Sequence, residues 1–191
     1  IKVYERSIIR YGNSIYFLIR ERFERKIVII ELSQSRTNIE GQFIVEETER
    51  VNERFLYRIC PCNHHNINIL RQIFPYMRPQ VIGLRPAIGM GDRIGLATPG
   101  HIRAAKKYHI FPVLAQQSIR EMKRTARSPA DVLDDVSIAV FQEGYRGGFA
   151  ADADHLKTID DINITFEAGF TMFTIDPSDY VDDGANRYDM E

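Results

Sequence analysis

The sequence predicts an α/β protein in which a small mixed N-terminal region leads into a parallel sheet of four strands. Three observations carry this. Short apolar runs recur at QVIGL (80–84), PVLA (112–115), FAADA (149–153) and TMFTI (171–175). The stretches between them are long enough for helices, and two open on a Thr-Pro or Ser-Pro pair, at Thr98-Pro99 and Ser128-Pro129, the signature of a capped helix start. Hairpins cannot span such connections, so the strands should run parallel. The runs also have few outward polar positions, as strands covered by helices should. The order β-α-β-α-β-α-β fits a doubly wound sheet or half of a (β/α)8 barrel, and the pattern alone does not separate the two.

Taken along the chain, residues 1–78 read as one α/β region and 79–191 as the parallel portion. Gly12-Asn13 marks a turn before a strand at Ser14 to Ile19. Strands follow at Lys26 to Leu32 and Phe55 to Cys60, both rich in β-branched and aromatic residues. Ile67, Leu70, Ile73 and Phe74 recur at helical spacing, and Pro75 ends that helix. In the parallel portion, helices should run from Thr98 to about Tyr108, from about Ala130 to Tyr145, and from a Thr158 cap to near Gly169. The tail from Asp176 to Glu191 is acidic and shows no periodicity.

Composition narrows the function classes. Hydrophobic residues at 44% can supply a core, so intrinsic disorder is a poor reading. A net charge of -1 gives no electrostatic support for nucleic acid. No apolar run reaches the roughly 18 residues of a membrane span, and the first ten residues carry no signal-peptide core. Cys60 and Cys62 are too few for a disulfide framework, so a reduced, cytoplasmic protein is expected. The chain opens on Ile rather than Met, so its true start is expected upstream.

In either parallel architecture the active site lies at the carboxyl ends of the strands. The polar residues after each run are Arg85, then Gln116 and Gln117, then Asp154 and His155, then Asp176. All could converge on one bowl, although loops are polar in any protein. Asp154-His155 is the sharpest pair, because imidazole ligates divalent ions and an adjacent carboxylate can accept a proton. A helix-capping Asp beside a solvated His is the bland alternative. His101, in the first turn of the helix after Thr98, could hold a substrate carboxylate, or be an exposed histidine. The loop Gly89 to Gly95 is spaced Gly-x-Gly-x-x-x-Gly, and Gln116-Gln117 stands where a ribose-binding acid belongs, so a dinucleotide site is set aside. Cys60-Pro-Cys62-Asn-His64-His65 spaces its cysteines too closely for a structural zinc site. Asp134-Asp135 reads as a solvated helix face.

Four segments in order, GLRPAIGMGDRIGLATPGHIRAA (83–105), FPVLAQQSIRE (111–121), DVLDDVSIAVFQEGYRGGFAADADHL (131–156) and FTMFTIDPSDYV (170–181), resemble the tagaturonate epimerase family. The likeness is close over about 79–181 and looser before it. It implies about half of a TIM-type barrel, a divalent metal (zinc, manganese or similar), and interconversion of the sugar acids D-tagaturonate and D-fructuronate; the position at which these differ, not α to a carbonyl, leads to the expectation of a retro-aldol route. Carried over on Ala-Asp-Ala-Asp-His, Asp154 would be the proton acceptor and His155 a metal ligand; Arg85, Gln116, Gln117, His101 and Asp176 are expected as substrate contacts from their strand-end and helix-start positions alone. The family's other metal ligands and its proton donor lie farther along a longer chain. The expectation is therefore an N-terminal part, inactive alone, that pairs with a second copy or a complementary C-terminal half. A truncated remnant that only associates, or another barrel lyase or aldolase for sugar acids, are the competing readings.

Overall fold

The computed structural model describes residues 1–32 and 40–188. Two sheets share one core. The first is antiparallel, with strands β1 (Lys2–Tyr11), β2 (Ser14–Glu21), β3 (Glu24–Leu32), β4 (Glu47–Arg50) and β5 (Phe55–Pro61) in the order β1-β2-β3-β5-β4. The sequence pattern showed β2, β3 and β5. It missed β1 and β4, which lie at the sheet edges and are mostly exposed, so neither carries a clear in-out alternation. Helix α1 (His64–Ile73) follows, its start held by the Asn63 side chain accepting from the Asn66 amide.

The second sheet is parallel and curled, with β6 (Ala87–Gly89), β7 (Phe111–Ser118), β8 (Ala150–Leu156) and β9 (Met172–Ile175) as consecutive neighbours. Sequential parallel order with helices outside is the start of a barrel, which settles the choice left open by the pattern. Its helices are α2 (Thr98–Tyr108), α3 (Ile119–Arg124), α4 (Pro129–Gln142) and α5 (Ile159–Ala168). Beyond β9 the chain makes short turns at Ser178–Tyr180 and Ala185–Arg187, and residues 189–191 of the acidic tail lie outside the described residues. No helix among the described residues is long and apolar enough to cross a membrane.

One strand is displaced from its expected place. The run at 80–84 forms no strand: Val81 and Leu84 are exposed, and the backbone turns at Gly83, whose φ is 62°. The pairing strand is β6 instead, three residues at the mouth of the glycine loop. Thr98 is also not the cap of α2 but its first residue. The capping acceptor comes from the loop: Asp92 Oδ2 takes the Ala97 amide at 2.6 Å, the Thr98 amide at 2.9 Å and the Thr98 hydroxyl at 3.0 Å.

Helix α4 is the shared wall between the sheets. It is buried almost all round, from Val132 to Phe141 with Asp135 the exception, as a helix packed on several sides must be. Phe141 stacks on Phe74 with ring centroids 5.7 Å apart. The expected solvated face at Asp134-Asp135 is instead a pair of tethers. Asp134 meets Arg71 at 2.8 Å and His64 Nδ1 at 2.7 Å. Asp135 holds Arg25 of β3 at 3.2 Å and also bonds Arg127. Gly95 packs directly on Asp135 with φ of 72°, where an added Cβ would overlap the carboxylate.

Candidate active site at the carboxyl rim of the parallel sheet

Strand alternation sorts the side chains of β8 into two sets. Ala151 and Ala153 join the hydrophobic core under the helices. Asp152 and Asp154 therefore point to the inner face of the curl. On β7, Gln116 shares that face: its amide donates to Asp152 Oδ2 at 3.4 Å. On β9, the Thr174 hydroxyl donates to Asp152 Oδ1 at 2.9 Å. On β6, Gly89 lies against the Gln116 side chain, and any Cβ there would stand 2.4 Å from its oxygen. Gly89, Gln116, Asp152 and Thr174 thus form one layer across four strands.

Asp152 is the residue that sequence reasoning missed. It is 1% exposed, and its hydrogen-bond partners are neutral. Burial pushes its carboxyl above the usual range, partly offset by the bonds from Thr174 and Gln116. The signal was present in Asp-Ala-Asp, whose spacing of two places both carboxylates on one strand face, but an acid inside an apolar run looked like part of the strand.

Asp154 and His155 stand at the top of β8, within the strand rather than after it. Asp154 pairs in register with Ser118. The β8–β9 register shifts between Ala153 and Leu156, and His155 takes a left-handed backbone with φ of 56°, a conformation uncommon outside glycine. The kink brings His155 Nδ1 within 2.8 Å of Asp154 Oδ1. A groove of about 870 Å³ opens beside them, lined among others by Ser118, His155, Lys157 and Asp176. The backbone amide and hydroxyl of Ser178 hold the Asp176 carboxyl below its ordinary value, and the amide lies 2.9 Å from Oδ1.

The other expected site residues fall elsewhere. Gln117 is turned to the helix side, fully buried, and donates to the Asp92 carbonyl, so it fixes the loop rather than facing the inner layer. Arg85 precedes β6 instead of following a strand, and its guanidinium sits 4.5 Å over the ring of Phe111, the first residue of β7. That places it at the amino end, away from Asp154. His101 is part-buried in the first turn of α2, with Nδ1 buried and without a hydrogen-bond partner among the described residues, and does not line the groove. Cys60 and Cys62 are held as thiols, since burial pushes both up to about 12. His65 Nε2 lies 2.9 Å from the Gln42 carbonyl, so this cluster serves the fold.

A metal-ligating imidazole is commonly oriented by a carboxylate on its second nitrogen, and the Asp154–His155 contact has that form. His155 fits one ligand position through Nε2. Among the described residues no group of three His, Cys, Asp or Glu is gathered as a complete metal site.

Residues 4–191 match the tagaturonate epimerase family, UxaE. A tagaturonate/fructuronate epimerase from Thermotoga maritima is 44% identical over 180 residues, covering 94% of this chain and 36% of the relative. The native crystal structure of the fructuronate-tagaturonate epimerase UxaE from Cohnella laeviribosi superposes with a TM-score of 0.88 at 36% identity, covering 98% of this chain and 36% of that one. A glycerol complex of the same protein gives 0.88 at 35% identity. The chain thus spans about a third of the length of these relatives.

Proposed function

We propose, from the premise that this chain belongs to the tagaturonate epimerase family, that it supplies the base and one metal ligand of an enzyme interconverting D-tagaturonate and D-fructuronate. The contact of Asp154 Oδ1 with His155 Nδ1 at the carboxyl rim carries the reading. It leaves Asp154 Oδ2 and His155 Nε2 without partners among the described residues, one as proton acceptor and one as metal ligand. A divalent cation such as zinc or manganese, completed by ligands from elsewhere, would supply Lewis-acid stabilisation of charge developing on the substrate.

The two sugar acids differ at a carbinol carbon one bond beyond the position next to the ketone. Its C–H is not α to a carbonyl, so a carboxylate is too weak a base to remove that proton. Asp154 instead accepts the hydroxyl proton. The carbinol carbon becomes an aldehyde as its bond toward the ketone breaks, and the electron pair passes to the ketone half as an enediolate. The aldehyde turns, the bond re-forms on its other face, and the proton returns to the oxygen. Gln116, steadied by Asp152, and Asp176 would bond substrate hydroxyls.

For the isolated chain a narrower reading is favoured, because the described residues gather no three-ligand set: by itself it associates without turnover. The test is a chimera joining residues 4–188 to the remaining C-terminal part of the Thermotoga relative. It should turn over tagaturonate with a bound metal. Asp154→Asn should lose activity, by a factor on the order of 10² to 10⁴, while keeping metal; His155→Ala should lose metal. Turnover in heavy water should leave the epimerised carbon free of deuterium. Full activity in Asp154→Asn would sink the assignment of the base.

A further inference from the structure

We propose that the groove beside His155 is the subsite for the carboxylate of the sugar acid, held by Arg120, Lys123 and Arg124 of α3. This rests on the epimerase reading and adds where the charged end of the substrate lies.

The short helix α3 has two faces. Ile119 and Met122 are buried. Arg120, Lys123 and Arg124 are exposed and stand at i, i+3 and i+4, so they share one face, and all three line the groove that also holds His155 and Asp176. Neighbouring cations are already committed. Lys157 bonds Asp179 at 2.7 Å and lies 3.9 Å from Asp176. Arg93 pairs with Glu121, and Arg127 with Asp135. Among the described residues, Arg120, Lys123 and Arg124 pair with no carboxylate.

The acids on the other wall do not cancel them. Asp161 is occupied in the capping box at Thr158, and Asp176 accepts from the Ser178 amide. Asp160 alone remains without a partner among the described groove residues, against three unpaired cations. Three like charges on one helix face repel, and a bound anion relieves that repulsion. Guanidinium groups also match a carboxylate in a bidentate manner.

The chemistry gives the anchor a purpose. Both sugar acids carry the same terminal carboxylate, and bond cleavage leaves it on the aldehyde half. A held carboxylate retains that half while its aldehyde carbon turns.

The experiment titrates the ¹⁵N-labelled full chain with D-gluconate, an open-chain six-carbon sugar acid, with sorbitol as its neutral counterpart and inorganic phosphate as a second anion. Gluconate should shift the amides of residues 118–124 and 155–158 in a saturable way, and sorbitol should not. Arg120→Gln, Lys123→Gln and Arg124→Gln combined should weaken gluconate at least tenfold. Lys107→Gln, an exposed cation on α2, should change nothing, and the spectra report whether each variant is folded. Equal response to sorbitol, unchanged affinity in the triple variant, or binding of phosphate alone would overturn the subsite. Gluconate bound as expected, with an inactive chimera, would sink the epimerase reading and leave the subsite standing.

Discussion

Asp92 takes no part in the proposed chemistry, yet it fixes the loop that leads from β6 into α2. Burial pushes its carboxyl up, but bonds from the Thr98 amide and hydroxyl and from the Leu96 and Ala97 amides outweigh this and hold it below the ordinary value. A depressed carboxyl contributes stability that is complete above the unfolded value of about 3.9 and is lost as pH falls through the folded one. Asp92→Asn should therefore cost about 1.5–3 kcal/mol at neutral pH, the usual range for bonds to a charged group. Urea midpoints at pH 7 and pH 3 check this: the gap between wild type and variant should narrow at pH 3, and an unchanged gap would show that the charge does not matter. Asp92 also shows what single residues reveal in a sequence. Asp154 and His155 could be picked out because they close an apolar strand. Arg85 was put at the wrong end, since its position depended on whether 80–84 or 87–89 formed the strand. Asp152 needed Gln116 and Thr174, distant in sequence, to become recognisable as part of a site.

Elements were legible where their signals were local. The Ser128 start of α4 was readable from Ser-Pro, and the structure adds a reciprocal capping box: the Ser128 hydroxyl accepts from the Asp131 amide and the Asp131 side chain accepts from the Ser128 amide. Losing this cap should matter beyond the helix end, because α4 packs against α1, α2, β1, β2 and β7. Ser128→Ala should cost about 1 kcal/mol. The loss should appear as one lowered denaturation midpoint, the same by far-ultraviolet circular dichroism and by tyrosine fluorescence. Two separated transitions would mean that α4 does not couple the sheets. Elements without local signals stayed hidden. Strand β4 is exposed along its length, so no periodicity marks it. Helix α3 is six residues long and charged on one face, so it read as a loop after β7. The Asp134-Asp135 pair misled for a related reason: a buried and a half-buried acid look solvated until Arg71, Arg25 and Arg127 are brought against them.

For the whole molecule, four parallel strands present two edges, β6 and β9, that pair with nothing else in the described sheet. A closed barrel has no such edges, and exposed edges recruit other strands. Apolar groups gather near both. Ile88 on β6 and Met172 and Ile175 on β9 are exposed, as are Ile159, Ile164 and Phe166 on α5, the helix that a further barrel unit would cover. The chemistry is as open as the sheet. Catalytic metals commonly take three protein ligands, and the described residues bring His155 to the rim without two companions. On the proposed function, a partner that closes the barrel at these edges would also bring further metal ligands to the rim. The isolated chain should self-associate, with a weight-average mass in sedimentation that rises with concentration. Its metal affinity should be low, and fructuronate should not form from tagaturonate at concentrations where the monomer prevails. Turnover that grows faster than linearly with protein concentration would show that two copies can complete a site. Robust turnover by a metal-loaded monomer would refute the argument, because one histidine and an open half-barrel would then suffice.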